Sequence, residues 1–132
     1  DLPASYTATE EVLREMRVKI VRDFWPTTYE ELTAISSNWE HPLNTAWRQV
    51  SSYWEMVYAM ARHGIVHPDY WVEGNGEGMF LYAKVLPFLE RFRKEASPTA
   101  FTNAEWIANN CASGQRISGM FSKRIQARLA AK

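Results

Sequence analysis

The sequence predicts an all-α protein: a single compact domain over residues 1–132, with five to six helices in a bundle-like arrangement around a long central one. Three observations predict it. Apolar residues recur at steps of three and four through most of the chain. No stretch alternates convincingly, and the best strand candidate, GMFLYAKV, reads better as helix with its continuation. The chain has 132 residues, 46% of them hydrophobic, which suits one domain with a real core.

The first helix is expected over about residues 9–24. Leu13, Met16, Ile20 and Phe24 make its apolar stripe, Thr7 or Thr9 can cap it, and Trp25-Pro26 stops it. Thr27 and Thr28, followed by Glu30 and Glu31, open a short second helix. Pro42 suits the first turn of the third and central helix. Its stripe is the strongest in the chain: Leu43, Trp47, Val50, Trp54, Val57, Tyr58 and Ala61. Gly64 closes it in the left-handed conformation, with Ile65 folding back on Met60 or Val57. Pro68 and Asp69 start a short helix that ends in the glycines of GNGEG. A helix over about residues 77–95 follows, with Leu81, Val85, Phe88 and Phe92 on one stripe and Pro87 kinking it. Thr102-Asn103-Ala104-Glu105 reads as a capping box for a fifth, short helix. Gly114 breaks the chain again, and Ile117, Phe121, Ile125 and Leu129 mark a last helix over about residues 115–131.

Fifteen bases balance fifteen acids, which argues against a nucleic-acid partner. The balance is uneven along the chain: after Glu105 come Arg116, Lys123, Arg124, Arg128 and Lys132, and no acid. Cys111 is the only cysteine, so an internal disulfide and a cysteine-based zinc site are excluded. A lone cysteine fits the cytoplasm. The longest apolar run, MFLYAKVLPFL, is about half a membrane span and contains Lys84. The chain starts at Asp1 rather than Met, which fits a trimmed product whose anchor or signal lay upstream.

His63 and His67 are four apart, and Asp69 and Glu73 would complete a metal set. Gly64 between the histidines ends the helix, so the spacing is not a face, and terminal roles outweigh ligation: His63 at a helix C-terminus, His67 capping the next helix. GNGEG follows no strand and holds Glu77, which would repel a phosphate. Glu10, Glu11, Glu15, Glu30 and Glu31 sit at helix starts and polar faces rather than in an acid–base pair. There is no Glu-x-x-His and no Gly-x-Ser-x-Gly. Cys111, with no histidine near it in sequence, reads as a small buried hydrophobe. No catalytic residue, metal or cofactor is assigned.

The segments YWEMVYAMARHGIVHPDYWVEGNGEGMFLYAKVLPFLERFR and SPTAFTNAEWIA carry a resemblance. Its positions are Trp54-Glu55, Arg62 with Gly64-Ile65, Tyr70 to Gly74, Tyr82, Leu86-Pro87, Arg91, and Phe101 with Glu105, Trp106 and Ile107. Over about residues 45–108 the chain is similar to an uncharacterised bacterial family of small all-helical proteins of unknown function. The chain departs from that pattern in an extended GNGEG and in its basic last helix. The resemblance implies an all-helical fold and, in many members, an N-terminal transmembrane helix. It implies no activity.

The expectation is therefore a non-enzymatic helical protein-interaction or scaffold module, with a protein partner or a homo-oligomer. Six tryptophans are many for this length, and Trp39, Trp71, Trp106 and Tyr70, near helix ends and corners, are its candidate contact residues. One alternative is a small-molecule or metal-binding protein using the corner from His63 to Glu73. The other is a peripheral membrane module using Lys123, Arg124, Arg128 and Lys132, or a missing N-terminal anchor, which would place the full-length protein at a membrane.

Overall fold

Eight α-helical segments run through the described residues: α1 (Ala4–Asp23), α2 (Tyr29–Ser37), α3 (Asn44–Arg62), α4 (Pro68–Gly74), α5 (Glu77–Val85), α6 (Leu89–Glu95), α7 (Thr102–Asn110) and α8 (Ala112–Ala130). They come from a computed structural model that describes the backbone of residues 4–131 and the side chains of residues 11–131. α5 and α6 are one helix cut by a 3-10 turn at Leu86–Phe88, so the fold has seven helices rather than five to six, and no strand among the described residues. Pro87 cuts it because its ring nitrogen has no hydrogen to donate to the preceding turn.

α3 is the centre, as its stripe predicts. It packs against α1, α2, α4, α5 and α7, while α8 lies across α4, α5 and α7. This second tier departs from a simple bundle. Ala46, Trp47, Val50, Trp54, Val57, Tyr58 and Ala61 are all buried on α3. Trp47 stacks on Phe24, just after α1, with ring centres 5.3 Å apart, and meets Phe92 and Phe101 at 6.1 and 5.8 Å. One indole thus ties four segments, and truncating it to alanine would cost about 3–5 kcal/mol.

Several helix ends differ from the local rules. α1 already runs from Ala4, so neither Thr7 nor Thr9 stands at its start; their side chains and that of Glu10 lie outside the described residues. Thr28 does cap α2, its hydroxyl accepting from the Glu31 N–H at 3.1 Å. Pro42 lies in a turn before α3, where Leu43 N–H donates to His41 Nδ1 at 3.0 Å and the helix begins at Asn44. Buried Asn44 then donates to the Ile35 and Ser36 carbonyls, closing the end of α2. Gly64 has φ +77° and stops α3 as expected, with Ile65 N–H returning to the Met60 carbonyl at 2.9 Å. The Ile65 side chain itself is exposed.

The capping box at Thr102 does not form. Phe101 stands before α7 with φ +58°, and the acceptor comes from α3: Glu55 takes the Asn103 and Ala104 N–H groups at 3.1 and 2.9 Å. Glu105 instead pairs with Arg93 at 3.0 Å. Gly114 does not break the chain either. It sits in the first turn of α8, where an added Cβ would come within 2.2 Å of the Ile107 carbonyl oxygen, so α7 and α8 meet backbone to backbone.

Candidate functional site

The histidine corner comes apart in the fold. Asp69 and Glu73 both turn to the start of α8. Asp69 accepts from the Cys111 thiol and the Ser113 N–H, each at 3.0 Å, and these hydrogen bonds, the thiol's first, hold its carboxyl below the usual range. Glu73 accepts from the Ser113 hydroxyl at 3.5 Å and lies 3.9 Å from Arg116. His63 stands at the end of α3 and His67 before α4, where its side chain makes no capping hydrogen bond. Among the described residues no three His, Cys, Asp or Glu side chains gather into a metal set. Cys111 is buried at the α7–α8 junction, and burial with Asp69 beside it raises its thiol.

Nor does the fold bring the four aromatic candidates together. Trp39 is exposed before α3, under the Arg48 guanidinium at 4.0 Å; Tyr70 is exposed beyond the other end of that helix. Trp71 and Trp106 are half-buried against the core, and the Trp71 indole N–H donates to the Val57 carbonyl at 2.9 Å.

A different site emerges where α1 ends against α5 and α8. An open cleft of about 640 Å³ lies there, floored by Phe80 and walled by Val21, Trp25, Met120 and Phe121. Phe80 meets Trp25 edge-on at 5.5 Å and Phe121 at 5.0 Å, so a row of rings lines the cleft. Two arginines of α8 stand on its rim. The Arg128 guanidinium lies 3.7 Å over Trp25, and that of Arg124 5.8 Å over Phe121. Neither is paired with a carboxylate among the described residues. Glu77, the acid at the cleft, is held by Arg17 through two 3.3 Å hydrogen bonds. Lys123 is exposed on the same helix, and Lys132 lies outside the described residues.

Behind Trp25 sits Lys84, 3% exposed. Its ammonium donates to the Ile20 and Val21 carbonyls at 3.2 Å each, the last turn of α1, where the helix dipole is negative. The rings of Trp25 and Phe80 lie 4.1 and 4.2 Å away. Burial, with Arg128 adding repulsion, pushes this lysine down to about 7. A small recess of about 190 Å³ lies beside it, between Pro87, Ile125 and Leu129. The sequence carries two signals for this site, the basic residues Arg124 and Arg128 of the last helix and a lysine inside the longest apolar run. The three walls are too far apart in sequence for periodicity to join them.

A second apolar groove of about 570 Å³ runs between α1 and α3, past Leu13, Met16, Tyr53 and Met56. None of the described residues that line it is charged. Ile117 and Ile125 are buried, so much of the apolar stripe of α8 is spent on the core. No helix among the described residues is long and apolar enough to cross a membrane.

The sequence profile described as domain of unknown function (DUF4760) matches residues 4–111, a wider span than the resemblance in the sequence indicates, ending just before α8. No curated protein and no solved structure matches the chain.

Proposed function

The chain belongs to the DUF4760 family, whose function is unknown, and from that premise we propose that it is a non-enzymatic helical interaction module that docks a protein through the α1–α5–α8 cleft. One observation carries the reading: a row of aromatic rings is left open at the surface beside two arginines that have no acid partner among the described residues. Aromatic floors with arginines beside them are the composition of binding hot spots. The acids that a catalytic reading would recruit are engaged elsewhere. Glu55 and Asp69 receive the amides at helix starts, and Glu105 pairs with Arg93.

The test is crosslinking from inside the cleft. A photoreactive p-benzoylphenylalanine replaces Met120, which is 42% exposed on its wall. Irradiation in the producing cells should give a discrete protein adduct, or an adduct of two copies, that disappears when Phe80→Asp charges the floor. Label that goes only to lipid or solvent overturns the reading.

A further inference from the structure

We propose that the cleft receives an amphipathic helix of a partner protein that carries two carboxylates one helical turn apart beside its apolar ridge. The inference deepens the interaction reading above and rests on it. Arg124 and Arg128 are four residues apart on α8, so they stand on one face about 6 Å from each other. The Arg128 guanidinium lies 3.7 Å over the Trp25 ring and that of Arg124 5.8 Å over Phe121. A guanidinium held over a ring keeps its in-plane N–H groups, the fork that grips a carboxylate with two parallel hydrogen bonds. Two such forks therefore stand one turn apart on α8, and neither is paired with a carboxylate among the described residues.

The floor beneath sets the other half of the match. Val21, Phe80 and Met120 present apolar surface in a concave trough, which fits the convex ridge of a helix. A bilayer is flat, and α8 has already spent Ile117 and Ile125 on the core. Glu77 is neutralised by Arg17, so it does not oppose an acidic ligand. Lys123 adds a further base on α8, a helix that holds no acid, and this charge favours such a partner over a basic one.

Two synthetic amphipathic helices with the same leucine ridge are the probes. One carries Glu at two positions four apart beside the ridge, the other Lys. Each is titrated by fluorescence anisotropy against the full chain and against Arg124→Glu/Arg128→Glu. The native chain should bind the Glu helix about tenfold or more tighter than the Lys helix, and the double variant should reverse that order. Equal affinity in all four pairings, or binding in none, overturns the proposal. So does capture of phosphatidylglycerol vesicles by a chain that ignores both helices. If circular dichroism shows the double variant unfolded, Arg124→Gln takes its place, and an undiminished preference for the Glu helix then counts against the idea. A protein crosslinked from position 120 while both helices fail removes only this partner chemistry. Failure of the crosslinking as well removes the interaction reading itself.

Discussion

Between pH 7 and pH 9 the stability of this protein should rise by about 2 kcal/mol on account of one side chain, and Lys84→Met should remove that rise. An unfolded chain holds the Lys84 proton up to its ordinary value of 10.5, whereas the fold holds it only up to about 7. Burial is the main cause, and Arg128 adds to it. Below pH 7 both states are charged and the fold bears the whole desolvation cost. Above pH 7 the folded state releases its proton while the unfolded state keeps it, so stability climbs with pH until the unfolded lysine also titrates. One proton of difference is worth about 1.4 kcal/mol per pH unit, and the midpoint at pH 7 trims the gain across the window to about 2 kcal/mol. Urea unfolding of the native chain and Lys84→Met at pH 7, 8 and 9 measures it. The contributions of Cys111, the tyrosines and the histidines are common to both chains and cancel in the difference. Parallel pH profiles would refute the reasoning, and would mean that the Ile20 and Val21 carbonyls and the ring faces keep the ammonium charged.

Glu55→Ala should cost about 1–2 kcal/mol in urea unfolding, because two amides at the start of α7 lose their acceptor. Gly114→Ala should cost about 1–3 kcal/mol or more by thermal unfolding, since its methyl would strike the Ile107 carbonyl and a backbone cannot step aside as a side chain can. Gly119→Ala, in the interior of α8 with nothing within 4 Å of the new methyl, should instead stabilise by about 0.5–1 kcal/mol. Cys111 should resist iodoacetamide at pH 8 in the native protein and react fast in urea, followed by mass spectrometry, because the thiol is buried and its proton is held by Asp69.

What could be read from the sequence followed from what is local. The α3 stripe, the Gly64 stop and the Thr28 cap each depend on residues within a turn or two, and periodicity or turn chemistry finds them. The failures share a physical reason. Thr102 and Glu105 have the spacing of a capping box, yet Glu55 from another helix reaches the same amides and Arg93 takes Glu105 away. Gly114 looks like a breaker because glycine is permissive, whereas its use here is to let two helices touch. Asp69 and Glu73 look like ligands beside histidines, but the α8 amide and hydroxyl that claim them are 40 or more residues away. The cleft needs the end of α1, the middle of α5 and the outer side of α8 at once. The basic run with Arg124 and Arg128 marks one side of it in the sequence, and Lys84 stands out as a charge in an apolar run, but nothing local joins the two.

The long-range caps also bear on the order in which the chain is made. Glu55 is synthesised well before the amides of Asn103 and Ala104 that it receives, and Asp69 well before those of Ser113. A ribosome releases the N-terminal part first, so α3 and α4 can be in place while the last third is still emerging. α7 and α8 then arrive at acceptors that already exist, and neither helix has to nucleate alone. In the finished protein the same dependence works backwards. The first turns of these two helices cannot fray without letting go of α3 and α4, so the Ala104 and Ser113 amides should exchange with solvent only when the whole domain opens.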